Sequence, residues 1–303
     1  MSHNASARPV RPRRSVLYVP AGNERARQKV PTLDIDTVIF DLEDATDPQA
    51  KSAAREKLRE AFAAQPAWPC ETVIRINALG SPWGIEDLLA ARACSPDAIL
   101  LPKVSCPDDL RNVEFALSES DAPRSIRLWA MIETPRGVIE AAAIAAEGRR
   151  PDSRLDCLVV GTNDLVKETG VSMRENRRYL VAWLMQIVLA SRAEGLDVLD
   201  GVYNEFKDME EFLAECMEGV AMGFDGKTLI HPSQVAPANE AFGISPEALA
   251  TAQTIVAAFA RPENAGRGVI SLDGRMVERL HLEIAEKLVA KSEILSKRQV
   301  RRS

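Results

Sequence analysis

Two carboxylates, Glu133 and Asp164, follow two successive apolar segments of this chain. If these segments are neighbouring parallel strands of a barrel, both side chains lie at one corner of the same rim. Magnesium is usually bound by a few carboxylates together with water and substrate oxygens, and no cluster of histidine and cysteine suggests zinc. Each acid alone is also explained as an acid near the N-terminus of a helix. Together they predict a Mg²⁺ site, with Mn²⁺ as the alternative metal.

Arg75 lies inside the apolar segment 73–77, where an unpaired charge is costly. A guanidinium group binds a carboxylate through two parallel hydrogen bonds, so an organic acid is a natural ligand for it. The structural alternative is a buried ion pair with Glu43 or Asp44. The two interpretations are compatible, because the ion pair can form before a substrate arrives.

Other polar side chains after apolar segments have more than one interpretation. The run Asp41-Leu42-Glu43-Asp44 holds more acids than a turn requires, which predicts at least one acid that orients metal-bound water. Turn chemistry explains Asp44 alone equally well. Lys103 is either a cation for an anionic substrate or a partner in a salt bridge. His231 is more typical of a structural hydrogen bond than of a catalytic base.

All these residues follow, or end, short apolar segments that we interpret as strands. The predicted strands are Ser15–Val19, Thr37–Asp41, Thr72–Ile76, Ala98–Leu101, Arg127–Ile132, Cys157–Gly161, Leu196–Leu199 and Phe224–Ile230. Segments of helical period lie between them, at Asn23–Lys29, Gln49–Ala64, Gly84–Ala93, Pro107–Ser118, Gly137–Ala146, Glu175–Ala193 and Asp208–Met222. This alternation predicts an α/β fold, a (β/α)8 TIM barrel with its chemistry on the rim after the strands. A doubly wound open sheet is the alternative, but no dinucleotide-type glycine fingerprint follows the first strand.

Three regions are expected along the chain. Residues 1–14 form a flexible basic N-terminal arm, and residues 15–235 form the barrel. Residues 236–303 form a C-terminal helical extension, with helices at Pro246–Phe259 and from Met276 to about Lys297. A glycine-rich hinge at 264–268 separates the two helices and is typical of a lid that moves or reaches a neighbouring subunit.

Composition excludes several classes of protein. The chain has 303 residues, 46% of them hydrophobic, enough for one large domain with a buried core. A net charge of −6 argues against nucleic acid as a partner, and no apolar stretch is long enough for a membrane helix. The basic arm lacks the apolar core of a signal peptide, and its prolines argue against the alternative of a transit peptide. Five scattered cysteines indicate a reducing, cytoplasmic location.

Eight short motifs together resemble the citrate lyase β-subunit and malyl-CoA lyase family of acyl-CoA carbon–carbon lyases. Their order and spacing agree over nearly the whole chain after the arm. The motifs are Arg14–Pro20, Asp41–Ala45, Ile74–Asn77, Leu101–Lys103, Ile132–Gly137, Gly161–Leu165, Gly223–Lys227 and Ile230–Pro232.

The resemblance implies a magnesium-dependent barrel enzyme that makes or breaks the bond between a 2-oxoacid and the enolate of an acyl-CoA. In such enzymes the residues that match Glu133 and Asp164 hold the metal, and the one that matches Arg75 holds the oxoacid carboxylate. The resemblance also implies a substrate pocket lined by Glu43, Asp44, Gly161 and Thr162, and a CoA site that involves Arg14, Tyr18 and Lys29. Asp44 is expected to take part in catalysis with Arg75.

The tail of such enzymes closes over a neighbouring subunit's site and supplies an aspartate that protonates the enolate. Here Glu278 stands at the place where aspartate is usual. Glutamate has a similar ordinary pKa but one more methylene group, and catalysis tolerates little misplacement of an acid. The resemblance further implies a homo-oligomer, a trimer or a hexamer.

The resulting hypothesis is cleavage of a 3-hydroxy-dicarboxylyl-CoA thioester, of the malyl-CoA or citramalyl-CoA type, to a 2-oxoacid and acetyl-CoA or another acyl-CoA. One alternative is a citryl-CoA lyase β-subunit, and another is a malyl-CoA-type thioesterase. A third, suggested by Glu278, is a non-catalytic protein that binds CoA esters.

Overall fold

The computed structural model describes residues 8–65, 67–173, 177–272 and 274–302. The chain divides into two compact units. The first runs from Arg13 to Phe242, and the second consists of Arg8–Pro12 and the chain from Gly243 onward. Within the described residues, no helix is both long enough and apolar enough to cross a membrane.

The first unit is a closed barrel of eight parallel strands that follow one another in chain order, as the sequence predicts. The strands are β1 Ser15–Pro20, β2 Thr37–Asp41, β3 Glu71–Arg75, β4 Ala98–Leu101, β5 Arg127–Ile132, β6 Leu155–Val160, β7 Asp197–Asp200 and β8 Gly226–Leu229. Pairing of β1 with β8 closes the barrel, which rules out the open sheet. Strands β2, β4 and β5 have the predicted bounds, and the others differ from the prediction at one or both ends.

Helices connect the strands around the barrel. They are α1 Glu24–Lys29, α2 Lys51–Ala64, α3 Gly84–Cys94, α4 Pro107–Glu119, α5 Pro135–Ile139, α6 Ala141–Ala146, α7 Thr162–Thr169, α8 Val181–Ala193, α9 Met209–Met222 and α10 Val235–Ala241. Short 3-10 helices occur at Val30–Thr32, Pro48–Ala50, Glu147–Arg149 and Pro232–Gln234. The helix α7 was not predicted from the sequence, and the predicted start of α8, Glu175, lies outside the described residues.

Alternate residues of the strands point into the barrel, as the pleat requires. The interior cluster consists of Val16, Ile39, Val73, Ala98, Leu100, Trp129, Met131, Cys157, Val159 and Leu199, with Tyr18 against it. The same alternation places three polar residues above this cluster, each two positions after an interior residue: Asp41 after Ile39, Arg75 after Val73 and Glu133 after Met131. The strand pattern therefore directs these three side chains into the C-terminal mouth of the barrel.

At the other end of the barrel, Arg13 closes the interior. Its guanidinium group lies 2.8 Å from Glu71, 2.5 Å from Asp156 and 2.9 Å from Asp197, and 4.7 Å from the centre of the Trp129 ring. Burial lowers the pKa of Arg13, but the attraction of Glu71 and the other acids outweighs it and raises the pKa. Arg13 is therefore part of the barrel, and the assignment of residues 1–14 to a flexible arm is wrong at its C-terminal end. Residues 1–7 of the predicted arm lie outside the described residues.

The second unit contains α11 Pro246–Phe259, a 3-10 helix at Pro262–Asn264, and the strands β9 Val269–Leu272 and β10 Arg275–Glu278. It ends in α12 Arg279–Arg302. The two strands form an antiparallel hairpin, and a small core of Ala258, Ile270 and Val277 lies inside the unit. The helix predicted from Met276 begins instead at Arg279, because Met276 and Val277 pair with β9. The extension is thus not purely helical.

Candidate active site

Asp41 and Arg75 end neighbouring strands at the same register position. The Arg75 Nε donates to Asp41 Oδ1 at 2.7 Å, and its Nη2 donates to Asp41 Oδ2 at 2.6 Å. Both side chains are buried, which is the situation in which a fork of two hydrogen bonds is strongest. Asp41 therefore holds the guanidinium plane in one orientation.

The remaining Arg75 nitrogen, Nη1, lies 3.0 Å from Glu43 Oε2 and 3.3 Å from Asp44 Oδ2. Below it, the ring of Tyr18 lies 4.9 Å from the guanidinium carbon. Burial lowers the pKa of Arg75, but the attraction of Asp41 outweighs it, so the pKa is raised. The ion pairs with Glu43 and Asp44 match the structural alternative, but the principal partner is Asp41, which the sequence analysis did not assign. This ion pair was indicated in the sequence by the opposite charges of Asp41 and Arg75, which end the successive strands β2 and β3.

The turn after β2 is fixed by hydrogen bonds to its own backbone. Asp41 accepts from the N–H groups of Glu43 at 2.9 Å and Ala45 at 3.0 Å. The buried Lys51 ammonium donates to the carbonyl oxygens of Leu42 and Glu43, at 2.9 and 3.0 Å. Lys51 thereby positions the backbone that carries Glu43.

Glu133 follows β5 and is only 2% exposed. Its Oε1 accepts the backbone N–H of Lys103 at 2.8 Å. Burial, together with the negative charges of Glu43 and Asp164, raises the pKa of Glu133 to about 8, although the Lys103 N–H and Arg75 oppose the rise. The charged form of Glu133 thus lacks a strong compensating cation among its protein neighbours, and a divalent cation would supply one.

Lys103 links the acids of the site. Its ammonium nitrogen lies 3.2 Å from Glu43 Oε1 and 4.0 Å from Asp164 Oδ2, and its side chain is 44% exposed. Burial lowers the pKa of Lys103, whereas Glu43 and the other acids raise it by a larger amount. Its backbone has φ 55°, the left-handed region that a lysine rarely adopts. Backbone strain of this kind clusters at functional sites.

Asp164 lies in the first turn of α7, two residues after Thr162 and three after Gly161. A Cβ atom on Gly161 would lie 2.4 Å from Glu133 Cβ and 2.5 Å from Glu133 Oε2. Only glycine therefore lets the start of α7 approach the Glu133 carboxylate. The Thr162 hydroxyl is buried and makes no hydrogen bond to any residue that the structure describes.

We expect Gly161→Ala to push Glu133 out of place. Because both the Cβ and the carboxylate of Glu133 are in the way, the free energy of unfolding should fall by about 1–3 kcal/mol. Mg²⁺ affinity should fall at least about tenfold, since a displaced ligand binds metal poorly. Calorimetric titration with Mg²⁺ and chemical denaturation measure the two effects. Gly80→Ala, at a site with no atom within 4 Å of the new Cβ, is the matched control; equal behaviour of the two variants would contradict the placement of Glu133.

Glu133 and Asp164 provide oxygen ligands that suit Mg²⁺, and Gly161 leaves space beside one oxygen of Glu133. In the part of the chain that the structure describes, no group of three or more histidine, cysteine, aspartate or glutamate residues is arranged to hold a metal. The donor set fits Mg²⁺ with two protein carboxylates, so these two residues stay the predicted metal ligands.

The residues predicted to meet CoA do not come together. Arg14 lies before β1, at the N-terminal end of the barrel, where it binds Asp36 at 2.8 and 3.0 Å. Tyr18 lies inside the barrel beneath Arg75, and Lys29 is exposed in the last turn of α1. The CoA role of Arg14 has no support from this placement, because β1 separates it from the rim.

Glu278 belongs to the second unit, where it is the last residue of β10. It is exposed, and its backbone N–H donates to His281 Nδ1 at 3.0 Å. Its role as a proton donor stays a prediction.

The protein is a closed (β/α)8 barrel, and carboxylates together with Arg75 and Lys103 line the C-terminal mouth of that barrel. It therefore belongs to the class of TIM-barrel proteins that carry a charged site on the rim after the strands. Comparison with family models matches residues 14–232 to the family described as HpcH/HpaI aldolase/citrate lyase. The chain belongs to this family, and the resemblance found in its sequence is confirmed.

Individual relatives cover almost the whole chain. A (3S)-malyl-CoA thioesterase from Cereibacter sphaeroides is 44% identical over 296 residues, 98% of each chain. The mitochondrial citramalyl-CoA lyase of Homo sapiens is 31% identical over 288 residues, 92% of this chain and 85% of that protein. A crystal structure of CitE from Mycobacterium tuberculosis in complex with magnesium, acetoacetate and coenzyme A is 30% identical, with a TM-score of 0.66. The match covers 92% of this chain and 97% of that one.

Proposed function

We propose that this chain is a Mg²⁺-dependent enzyme that acts on CoA thioesters of hydroxy-dicarboxylic acids, of the malyl-CoA type. The observation that carries the proposal is the juxtaposition of buried Glu133 with Asp164 and Arg75 at the mouth of the barrel. The names of the relatives support it, since all three act on or contain a CoA compound. The magnesium in the CitE complex supports the choice of metal.

Two reactions are open to such a site, and we place hydrolysis of the thioester first. The relative at 44% identity is named as a thioesterase, whereas the lyase is 31% identical. Glu278 in place of the usual aspartate agrees with a reaction that needs no protonation of an enolate. Carbon–carbon cleavage, the reaction expected from the sequence, stays the second candidate because the family includes lyases and aldolases.

The side chains have distinct roles in the proposal. Glu133 and Asp164 hold Mg²⁺, which when bound supplies Lewis-acid stabilisation of negative charge on substrate oxygens. Asp41 keeps the Arg75 fork oriented, and Nη1, which lies beside Glu43 and Asp44 in the free protein, binds the carboxylate of the acyl group when substrate is present. Asp44, whose side chain is 65% exposed, lies where it can accept a proton from an attacking water molecule.

Assembly and location stay predictions of the sequence. We propose a homo-oligomer, a trimer or a hexamer, in which Glu278 serves a neighbouring subunit if the reaction is carbon–carbon cleavage. We also propose a cytoplasmic location.

Product analysis tests the reaction directly. The purified protein is incubated with Mg²⁺ and malyl-CoA, citramalyl-CoA or citryl-CoA, and every product is identified by mass spectrometry. Free CoA with intact hydroxy acid supports hydrolysis, and an oxoacid with an acyl-CoA supports cleavage. A sample with EDTA measures the metal-independent background. No product from any thioester above this background would contradict the proposal and favour the non-catalytic alternative.

We expect Thr162→Val to lower kcat/KM without lowering the free energy of unfolding. Because the Thr162 hydroxyl makes no hydrogen bond among the described residues, the free energy of unfolding should stay the same or rise by about 1 kcal/mol. If the hydroxyl binds the substrate, kcat/KM should fall about tenfold. Thr169→Val, on the exposed end of the same helix, is the control and should not change kcat/KM. Unchanged kinetics in Thr162→Val would remove this residue from the substrate site.

A further inference from the structure

The two cations at the mouth of the barrel differ in how they are held. All three Arg75 nitrogens face carboxylates, and the residue is 6% exposed. The Lys103 ammonium has one contact at 3.2 Å and one at 4.0 Å, and 44% of its side chain is exposed. Arg75 is therefore fixed by its partners, whereas Lys103 can change partners by rotating its long side chain.

The charges of the site are unequal. Five carboxylates face these two cations: Asp41, Glu43, Asp44, Glu133 and Asp164. The buried Lys51 ammonium also attracts Asp41, Glu43 and Asp44, so negative charge still exceeds positive charge at the site. Asp164 is at once a predicted metal ligand and a neighbour of the Lys103 ammonium. A divalent cation on Asp164 and a lysine beside it repel each other. The two cations therefore weaken each other's attraction to the same carboxylate. An anionic substrate beside Lys103 would relieve this repulsion.

We propose that the Lys103 ammonium group changes its partner when metal and substrate bind. This group competes with a divalent cation for Glu43 and Asp164, and it binds the free carboxylate of the acyl group when a metal holds Asp164. This inference rests on the proposed function for the identity of the acyl group. It assigns to Lys103 a share of carboxylate recognition that Arg75, whose fork Asp41 already occupies, does not supply alone.

The backbone of Lys103 does a separate task, which allows the side chain to be tested by itself. The backbone N–H donates to Glu133 Oε1 whatever side chain residue 103 carries. The left-handed φ of 55° is equally strained for lysine, methionine and arginine. Lys103→Met therefore removes the charge and leaves the hydrogen bond to the predicted metal ligand.

The experiment measures two dissociation constants by calorimetry in Lys103→Met and in the unmodified protein. The first is for Mg²⁺ alone, and we expect binding to become about tenfold tighter, because a competing positive charge is removed. The second is for malate at saturating Mg²⁺, and we expect binding to weaken at least about tenfold, because a charge-assisted hydrogen bond is lost. The opposite signs are the signature, since general damage to the site would weaken both. Lys103→Arg should recover most of the affinity for malate.

Lys167→Met is the matched control, because Lys167 is exposed on α7, three residues after Asp164. Both constants should stay within about twofold in this variant, since an exposed charge acts weakly through solvent. The proposal is overturned if Lys103→Met weakens or leaves unchanged the binding of Mg²⁺, or if it leaves malate binding unchanged. Lack of turnover of malyl-CoA by the unmodified protein would instead refute the proposed function, while the Mg²⁺ constants still decide the competition.

Discussion

Glu133→Gln is expected to abolish metal-dependent turnover, with kcat lowered about 100- to 1000-fold. Glutamine keeps the size of glutamate and keeps an oxygen to accept the Lys103 N–H, but it carries no negative charge. Mg²⁺ affinity should fall about 100-fold, whereas the free energy of unfolding without metal should change by less than about 1 kcal/mol. Kinetics at increasing Mg²⁺, calorimetric titration and denaturation measure the three quantities.

The control for Glu133 is the same substitution at Glu140, which caps the C-terminus of α5 and pairs with Arg136 at 3.4 Å. Glu140→Gln should leave turnover and Mg²⁺ affinity unchanged. Normal turnover in Glu133→Gln would refute the metal assignment. A large loss of stability in that variant would show instead that the carboxylate charge is structural.

Arg75→Met is expected to damage both stability and activity. It leaves the buried Asp41 carboxylate without its two strongest hydrogen bonds, which should cost about 3–5 kcal/mol of unfolding free energy. It also removes the proposed partner of the substrate carboxylate, so kcat/KM should fall at least about 1000-fold if the protein folds. Denaturation and steady-state kinetics measure the two losses.

The double variant Arg75→Met with Asp41→Asn separates the two roles of Arg75. The double variant leaves no unpaired charge at residue 41. It should therefore recover most of the unfolding free energy that Arg75→Met loses, while kcat/KM stays low. Arg111→Met, which removes two hydrogen bonds to Glu147 from an arginine whose side chain is half exposed, is the control for a surface arginine and should cost much less stability than Arg75→Met. Recovery of activity together with stability would show that Arg75 serves the fold and not the substrate.

The sequence predicted the barrel because apolar strands and helical segments alternate along the chain, and this alternation depends only on local patterns. Residues at or after strand ends were predictable for the same reason, so the placement of Arg75, Glu133 and Asp164 at the mouth of the barrel was predicted correctly, while their roles stay predictions. The partner of Arg75 was not, because the pairing with Asp41 depends on the register between β2 and β3. A single chain does not reveal this register before its strands are paired.

Other differences also have physical causes. The helix α7 carries Asp164 but is only eight residues long, too short for a clear hydrophobic period. The hairpin of β9 and β10 consists of four-residue strands around Gly274, and the apolar residues Met276 and Val277 fit the start of the helix that follows equally well. Arg14 was grouped with Tyr18 because both lie in one motif, but the length of β1 puts them at different depths of the barrel.

Arg13, which closes the lower end of the barrel, also constrains how the chain folds. Its guanidinium group joins carboxylates that lie 58, 143 and 184 residues further along the sequence. A growing chain therefore carries this arginine without its full set of partners until β7 has been synthesised, and the ring of strands is completed only when β8 pairs with β1. Contacts of such long sequence separation slow folding. Arg13, which precedes every strand of the barrel, is thus among the last residues to reach its final environment.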